Sequence, residues 1–396
     1  METNKRPLDG IRVIDFSQVW AGPYATLLLA LMGAEVIKVE SRKRIDGSRL
    51  SSLTTGQRFS GFDSSTVYNE LNLNKMDICL DLGQPKAIKL ARRLVTISDV
   101  VMQNFRPGVM DRLGLGYEAL SEVKPNIIYL SSSACGSTGP ERAYAGYAPG
   151  FASLSGLASL TGYSDGPPFT MGGRIDLISA TTSAFAIVAA LNYRARTGEG
   201  QYIDLSSSES ISVTIGDVLM DYTMNRRSRR RDGNRDEVMA PHNCYRCKGE
   251  DDWISIAIAN DEEWRAFVDV IGNPDWTRDE KFQDAFSRKQ NEDELDRLIS
   301  QWTINHTKYE VMDMLQKAGV AAVPSFSSKD LFNDPHLKER GFATELEHPI
   351  MGKTTVLSPP WKLSATPARI TRHAPLFGEY NNHVFGELLG ISQEEI

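Results

Sequence analysis

The chain is 396 residues long, with 24% charged residues, 41% hydrophobic residues and a formal net charge of −7 at pH 7. This length predicts two domains, and the composition is typical of a globular protein, which excludes the disordered and fibrous classes. The negative charge argues against nonspecific binding of nucleic acid. The absence of an apolar run of about 18 residues argues against a membrane span.

Three further features of the sequence indicate where the protein works and which catalytic groups it can use. The N-terminal sequence METNKRPLDG lacks the apolar stretch and cleavage site of a signal peptide. Four cysteines in a chain of this length do not make a disulfide framework, so we expect a reducing, cytoplasmic environment. The first of the six histidines is His242, so any chemistry confined to the preceding residues proceeds without imidazole.

Strand and helix patterns alternate through the first 205 residues. Runs of β-branched residues predict strands at 11–16, 35–39, 77–82, 99–104 and 126–133. Helical patterns lie between them at 23–32, 85–96 and 108–113, and Gly33 marks the end of the first. Strands that alternate with helices predict an α/β fold with a parallel sheet, which we assign to a large domain of residues 1–205.

The regular patterns stop between Cys135 and Gly173, where the sequence is rich in Gly, Ser, Pro and Tyr. A long irregular stretch inside a compact domain is typical of a functional loop. A helix is then predicted at 177–195. Because this helix is apolar nearly all round, we expect it to be buried.

The alternation of strand and helix patterns ends after residue 205. We expect a linker at 206–237, which contains the basic run at 226–231, and a small domain at 238–325. A solvated linker is favoured for the basic run over a phosphate or nucleic-acid site. Within the small domain, the sequence predicts a strand at 253–259 and a helix at 262–271. Thr307 and Glu310 have the spacing of a capping box at the start of another helix.

Three short motifs are candidates for ligand binding. SSSACGSTGP (131–140) follows a strand, where open α/β sheets hold ligands, although a plain turn is the favoured alternative. HNCYRC (242–247) looks like half a zinc site, but the sequence has no second pair of ligands, so we expect no metal. QNFRPG (103–108) brings an aromatic ring and a cation together, which could hold an adenine ring and a phosphate.

Asp176 is the strongest candidate for chemistry. It is a lone carboxylate after Gly172 and Gly173, at the start of the apolar helix. One interpretation is a helix N-cap. The other is a nucleophile that the helix N-terminus keeps ionised beside apolar surface, with the two glycines giving a substrate room to approach. The residues alone leave both interpretations open.

Taken together, these stretches resemble the class III CoA-transferase family, which includes formyl-CoA and carnitine CoA-transferases. The resemblance runs nearly end to end. The motifs that carry it are PLDGIRVIDFSQVWAGPYATLLLALMGAEVIKVE, LNLNKMDICLDL, DVVMQNFRPGVMDRLGLGYEAL, IIYLSSSACGSTGP, GGRIDLISATTSAFAIVAALNYRARTGEGQYIDLS and GVAAVPSFSSKDLFNDPHLKERGF.

The resemblance implies a fold, an assembly and a set of site residues. The expected fold is a Rossmann-like large domain, a smaller α+β domain, and a segment at 326–396 that returns to the large domain, in an interlocked dimer. The family nucleophile matches Asp176, and no metal or permanently bound cofactor is implied, because CoA thioesters are the substrates. Backbone N–H groups near Gly172 and Gly173 are candidate oxyanion donors, and Tyr147 is a candidate substrate contact. The matched CoA-binding positions are Trp20, Ala21, Arg42, Leu80, Asn104, Phe105, Arg112 and Leu113.

The chain departs from the family pattern at several positions. Trp20 stands where the family has a glutamine, Gly83 where a lysine is frequent, and RDGNRDE where the formyl-CoA branch has a run of glycines. The related α-methylacyl-CoA racemases carry a histidine and an aspartate where Tyr147 and Ala148 stand here, which argues against racemase activity. A non-catalytic subunit of a heteromeric transferase is a further alternative, and the presence of Asp176 argues against it.

By resemblance, the reaction moves CoA from an acyl-CoA donor, such as succinyl-CoA, to a carboxylic acid through an aspartyl anhydride and an aspartyl-CoA thioester. Aromatic residues favour an acceptor bulkier than formate or oxalate, for example an aromatic or dicarboxylic acid such as benzylsuccinate. The alternative is that these side chains only pack the core. The residues concerned are Tyr144, Tyr147, Phe151, Tyr163 and Phe169, with Met171 beside them.

Overall fold

The computed structural model describes residues 5–51 and 61–394. The chain forms two compact units, each with its own apolar core. The first comprises Met1–Ser159, Phe169–Arg229 and His336–Ile396, and the second comprises Leu160–Pro168 and Arg230–Pro335. Residues 1–4 of the N-terminal sequence considered above lie outside the described residues.

A six-stranded parallel sheet forms the centre of the first unit, in the order β3-β2-β1-β4-β5-β6. The expected α/β class and parallel sheet are therefore confirmed. The order reverses between β1 and β4, and doubly wound sheets hold ligands at the carboxyl ends of the strands beside such a switch point. The strands are β1 (Arg12–Asp15), β2 (Glu35–Glu40), β3 (Met76–Cys79), β4 (Val100–Gln103), β5 (Ile128–Ser133) and β6 (Gln201–Ser206).

Helices connect and cover these strands. The helices expected at 23–32 and 85–96 are confirmed as α1 and α3. The expectation of irregular structure throughout 135–173 was wrong for Ala148–Leu154, which forms a helix with Pro149 in its first turn. The sequence did not predict this helix because its Gly and Pro residues are typical of turns. The α-helices that the described residues of this unit form up to Asn225 are α1 (Ala21–Leu31), α2 (Thr66–Leu71), α3 (Pro85–Thr96), α4 (Val109–Arg112), α5 (Tyr117–Ser121), α6 (Ala148–Leu154), α7 (Asp176–Thr197), α8 (Ser207–Ser212) and α9 (Gly216–Asn225).

Successive residues of the strands enter apolar cores on opposite faces of the sheet. Val13 of β1 belongs to the core that also contains Leu28 of α1 and Ala184 of α7. Its neighbour Ile14 belongs to the core that contains Leu94 of α3. Burial on both faces explains why these strands read as nearly continuous apolar runs instead of alternating patterns.

The helix α7 is only half buried, so the expectation of burial all round was wrong. Ala180, Ala184 and Ile187 lie in the core, whereas Phe185 is 74% exposed on the opposite face and Tyr193 is also exposed. By length and composition alone, the helical stretch Gly172–Thr197 could cross a membrane, and 50% of its most apolar window is buried in the fold. A helix in a protein core can have the same length and apolar composition. The apolar composition of α7 also does not show which of its faces packs against the rest of the chain.

Part of the basic run at 226–231 is neutralised by carboxylates of α9. The Nε atoms of Arg227 and Arg229 lie 2.6 and 3.1 Å from Asp221 Oδ2. Arg229 also pairs with Asp217 at 2.9 Å. These contacts hold the pKa of the Asp221 carboxyl down at about 2, first through hydrogen bonds from Asn225 and Arg227.

The second unit is built on a three-stranded antiparallel sheet in the order β7-β8-β9. Its core contains Ile256 of β8 with Phe267, Leu295 and Leu315 from three helices. The capping box expected at Thr307 and Glu310 is confirmed. Its elements are β7 (His242–Arg246), β8 (Trp253–Ala257), α10 (Asp261–Val270), α11 (Ala285–Gln290), α12 (Glu292–Thr303), α13 (Lys308–Lys317), β9 (Ala321–Pro324) and α14 (Ser328–Asn333).

The HNCYRC motif forms β7 and the residue after it. Cys244 and Cys247 are free thiols, and Cys247 is buried. Burial raises the pKa of the Cys247 thiol to about 11. Among residues 5–51 and 61–394, no group of three or more His, Cys, Asp or Glu side chains is arranged to hold a metal ion.

The last part of the chain adds to the first unit. It contains α15 (Pro335–Glu339), a hairpin of β10 (Ala343–His348) and β11 (Gly352–Leu357), and a π-helical segment at Asn382–Leu388. Val384 and Phe385 enter the core beside α3. The side chain of Asn74 donates to Arg369 O at 2.7 Å and accepts from the Thr371 and Arg372 N–H groups at 2.7 and 3.1 Å.

Candidate active site

A cavity of about 660 Å³ opens in the first unit at the carboxyl ends of β1, β4 and β5. Its position matches the switch point of the sheet. Residues from seven separate stretches, including α6 and the first residues of α7 and α8, form its wall. Those proposed from the sequence are Trp20, Ala21, Asn104, Phe105, Tyr147 and Asp176.

Asp176 is the first residue of α7, and it does not cap the helix. The N-cap position belongs to Ile175, and no side-chain hydrogen bond caps this helix. The N-cap interpretation of Asp176 was therefore wrong. Its side chain is only 8% exposed, and Oδ1 is fully buried with no hydrogen-bond partner among the described residues. Because buried polar atoms are nearly always paired, an unpaired carboxylate oxygen in a cavity wall marks a functional site.

Burial raises the pKa of the Asp176 carboxyl to about 6. The sequence argument expected the helix N-terminus to favour the ionised form, but loss of solvent is the larger effect. At pH 7 a carboxyl with this pKa is still ionised in roughly nine molecules of ten. Asp176 thus presents a poorly solvated carboxylate to the cavity, which is the state required of a nucleophile.

The chain enters α7 through a strained turn. Met171 has φ +58°, a left-handed conformation unfavourable for a residue with a side chain, and Gly172 repeats it at +58°. A Cβ atom on Gly173 would lie 3.4 Å from the Trp20 indole ring. Gly172 and Gly173 are not among the residues that line the cavity, but Gly173 packs against Trp20, which is.

The loop after β1 is held in place from two neighbouring strands. Asn104, after β4, accepts from the Gln18 N–H and donates to Gln18 O, both at 2.8 Å. The Val19 N–H donates to Asp46 Oδ1 at 3.0 Å. Val19 has φ +72°, an outlier for a β-branched residue, so these contacts impose a conformation that costs on the order of 1–3 kcal/mol.

Lys38 of β2 stabilises the same loop through two hydrogen bonds. Its Nζ atom donates to Ser17 O and to Asp46 Oδ2, both at 2.9 Å. The sequence analysis missed Lys38 and Asp46. The available signal was a lysine in the middle of a strand that is otherwise apolar.

The start of α1 adds backbone donors to the cavity. Its N-cap residue Trp20 makes no side-chain hydrogen bond to the first turn. The first N–H groups of a helix have no partner within the helix. Trp20 and Ala21 both line the cavity, so these donors lie where an anion or a developing oxyanion would be stabilised.

Four sequence-predicted CoA contacts are not among the residues that line this cavity. Arg42 is exposed after β2, and Leu80 is buried after β3, where its N–H bonds to Glu40 O. Arg112 ends α4, and Leu113 packs against the core beside α3. The cavity wall also contains Arg106 of the QNFRPG motif, and Ser132 and Ser133 of the SSSACGSTGP motif, which the sequence had offered as candidates for ligand binding. Arg44 and Ser207, which line the cavity as well, were not named from the sequence.

Comparison with known proteins identifies the family. Residues 8–381 match the family described as CoA-transferase family III. The chain belongs to this family. It is accordingly a class III CoA-transferase, as the resemblance in the sequence implied.

Individual relatives cover nearly the whole chain. It is 33% identical to succinyl-CoA–D-citramalate CoA-transferase of Chloroflexus aurantiacus, over 99% of this chain and 96% of the relative. It is 30% identical to human succinyl-CoA:glutarate CoA-transferase, over 98% of this chain and 87% of the relative. Two further relatives are named as the beta and alpha subunits of a succinyl-CoA–L-malate CoA-transferase of Chloroflexus aurantiacus, at 31% and 32% identity.

A solved structure shows the same architecture. The crystal structure of a CAIB/BAIF family protein from Brucella suis superimposes with a TM-score of 0.87 and is 31% identical in sequence. The match covers 97% of this chain and 100% of the other.

Proposed function

We propose that this class III CoA-transferase moves CoA from succinyl-CoA to a dicarboxylic acid, with Asp176 as covalent nucleophile. The observation that carries the proposal is the buried, unpaired Oδ1 of Asp176 in the wall of a 660 Å³ cavity. The choice of substrates is supported by the relatives, whose names pair succinyl-CoA with citramalate, glutarate and malate.

In the first half of the proposed reaction, the Asp176 carboxylate attacks the thioester carbonyl of succinyl-CoA. The carbon–sulfur bond breaks, CoA leaves as a thiolate, and a mixed anhydride remains on Asp176. The thiolate then attacks the aspartyl carbonyl of the anhydride, which releases succinate and leaves an aspartyl-CoA thioester. Splitting the exchange in this way replaces one difficult step with easier ones.

In the second half, the acceptor carboxylate attacks the aspartyl thioester and CoA thiolate leaves again. The thiolate then attacks the acceptor carbonyl of the new anhydride, which forms the product thioester and regenerates the Asp176 carboxylate. Each attack creates an oxyanion. The backbone N–H groups at the start of α1, where Trp20 and Ala21 line the cavity, are the candidate donors to it.

The cavity wall has groups that suit both ends of such substrates. Arg44 and Arg106 supply cationic side chains for phosphates or for a second carboxylate. Tyr144, Tyr147 and Phe151 supply aromatic surface, so we extend the proposed acceptors to aryl-substituted dicarboxylic acids of the benzylsuccinate type. Of the other two aromatic residues considered from the sequence, Tyr163 belongs to the second unit, and Phe169 is not among the residues that line the cavity.

Exposed apolar side chains support the proposed assembly. Phe185 on α7 and Leu219, Met220 and Met224 on α9 are all at least 60% exposed. Met220 and Met224 are four residues apart on α9 and therefore share one face of it, and exposed apolar patches mark protein interfaces. We therefore propose the interlocked dimer that the family resemblance implies, in the cytoplasm. A heteromer with a related chain is the alternative, because some relatives are named as subunits.

Trapping of the covalent intermediate tests this function. The enzyme is mixed with succinyl-CoA, treated with hydroxylamine, and digested for mass spectrometry. A hydroxamate at Asp176 that the Asp176→Ala variant lacks is expected, whereas Glu118→Gln, a change to an exposed carboxylate outside the cavity, should leave the label in place. Labelling elsewhere would overturn the mechanism. Exchange of a substrate α-proton with solvent, without any adduct, would instead show a racemase.

An acceptor panel tests the substrate class. Initial rates with succinyl-CoA are measured for formate, oxalate, glutarate, malate, citramalate and benzylsuccinate, with acetate as a monocarboxylate control. Dicarboxylic acids are expected to give the highest kcat/KM. Preference for formate or acetate would contradict the proposed acceptor while leaving the role of Asp176 intact.

A further inference from the structure

A second polar atom in the cavity wall has no partner. Ser133 is the last residue of β5 and is only 7% exposed. Its hydroxyl oxygen is fully buried and has no hydrogen-bond partner among the described residues. It lines the same cavity as Asp176, whose Oδ1 is unpaired as well.

Two neighbouring serines differ from Ser133 in this respect. Ser131, two residues earlier on β5, accepts a hydrogen bond from Gln103 Nε2 at 2.6 Å. Ser206, the residue paired with Ser133 on β6, caps α8 by accepting from the Glu209 N–H at 3.3 Å. Both of these hydroxyls have structural roles within the fold. The Ser133 hydroxyl has none that the described residues show.

Elementary chemistry indicates what the hydroxyl binds. A serine hydroxyl offers one donor and two acceptor positions, and leaving it buried without a partner costs free energy. Asp176 and Ser133 do not bond to each other, so an unpaired acceptor and an unpaired donor share one cavity. A substrate with an electrophilic carbon near Asp176 would bring its carbonyl oxygen as the missing acceptor.

We propose that Ser133 is a further catalytic residue, whose hydroxyl donates a hydrogen bond to the acyl oxygen as Asp176 attacks. This inference rests on the proposed function. A neutral donor suits an oxygen that is uncharged in the bound substrate and becomes negative in the transition state. The permanent charges of the substrates are better matched by Arg44 and Arg106 in the same wall.

The test compares the rate of Asp176 acylation in single-turnover experiments with succinyl-CoA. Ser133→Ala is expected to slow acylation about 100-fold, the loss that follows removal of one oxyanion donor, with little change in KM. Ser98→Ala is the matched control. Ser98 is also buried but lies at the opposite end of the sheet, where its hydroxyl donates to Leu94 O at 2.7 Å, so acylation should be unchanged.

Three outcomes separate this inference from the proposed function. Acylation of Ser133→Ala at the wild-type rate, or a raised KM with unchanged kcat, overturns the role of Ser133 alone. Absence of any Asp176 adduct in the wild-type enzyme overturns the proposed function and the Ser133 inference with it. If Ser133→Ala does not fold, Ser133→Cys keeps the shape but donates weakly. A wild-type acylation rate in Ser133→Cys then overturns the inference, and a slower one supports it.

Discussion

Lys38 Nζ lies 2.9 Å from Asp46 Oδ2, and both side chains are fully buried. Through the other oxygen of Asp46, this ion pair reaches the Val19 N–H at the edge of the cavity. The pair holds the pKa of the Lys38 ammonium above its usual value and lowers the pKa of Asp46 to about 2, in both cases against the effect of burial. A charge pair inside the sheet thus fixes the loop that carries Trp20.

Breaking this pair should unfold or inactivate the enzyme. Lys38→Met leaves Asp46 buried without its cation, which destabilises a fold by about 3–5 kcal/mol. Urea denaturation measures the loss, and the CoA-exchange rate should fall with it because the loop after β1 loses its anchor. Lys43→Met removes an exposed partner of Asp81 and should change the stability little, because solvent screens such a pair. Equal stability of the two variants would contradict the structural role of Lys38.

The activity should depend on pH through Asp176. The nucleophile must be ionised, and burial places its pKa at about 6. The rate of acylation should therefore rise with pH through a midpoint near 6 and level off above 7. A profile of single-turnover rates between pH 4.5 and 8 checks this. A midpoint near 4, the ordinary value for a carboxyl, would show that bound substrate removes the effect of burial.

The substitution Asp176→Asn should make the protein more stable while abolishing exchange. A raised pKa means that the folded state binds the proton more tightly than the unfolded chain, so the stability of the wild-type protein falls as pH rises from about 4 to 6. A neutral amide escapes this penalty, which amounts to about 2–3 kcal/mol above pH 6. Denaturation at pH 4 and pH 7 should show the gain only at pH 7. Equal gains at both pH values would point to a different cause.

Enlarging Gly173 should disturb Trp20. A Cβ atom there already lies 3.4 Å from the indole ring, so the branched side chain of Gly173→Val must displace the ring from the cavity wall. We expect a loss of kcat/KM of about tenfold or more, with a change in tryptophan fluorescence. Gly216→Val is the control, because a Cβ at Gly216 meets nothing within 4 Å. Unchanged kinetics in Gly173→Val would show that Trp20 does not orient the substrate.

Removing the Asn74 side chain should loosen the last part of the chain. Asn74→Ala deletes three hydrogen bonds to the backbone at 369–372 and leaves their partners unsatisfied, so we expect a loss of about 3 kcal/mol. Asn74→Asp keeps the acceptor for Thr371 and Arg372 and should lose less. Denaturation and limited proteolysis measure both effects. Identical stability of the two variants would show that the carboxamide oxygen contributes nothing.

Sequence reasoning worked where the signal is local. The alternation of strand and helix patterns predicted the parallel sheet, Pro85 predicted the start of α3, and the spacing of Thr307 and Glu310 predicted the capping box. Asp176 was singled out because two glycines and an apolar helix surround it in sequence. These features depend on residues only a few positions apart, which is the range over which a sequence pattern is informative.

Features that depend on distant partners could not be predicted in this way. The raised pKa of Asp176 depends on how completely other elements cover it, and the state of Ser133 is defined by the lack of a partner. The exposed face of α7 was missed for a related reason, because an apolar helix looks the same whether its second face meets its own chain or another surface. The only sequence signal of the Lys38–Asp46 pair was a charged residue within an otherwise apolar strand, and this signal is weak.

The core beside α3 has a consequence for the synthesis of the protein. Ile14 and Ile37 pack in the same cluster as Val384, Phe385 and Leu389. A ribosome adds 5–20 residues per second, so roughly 20–70 s pass between the appearance of Ile37 and that of Val384. Throughout that time one face of the nascent sheet lacks its final cover. The second unit emerges complete before that cover does, so we expect its core to form before the core of the first unit is completed.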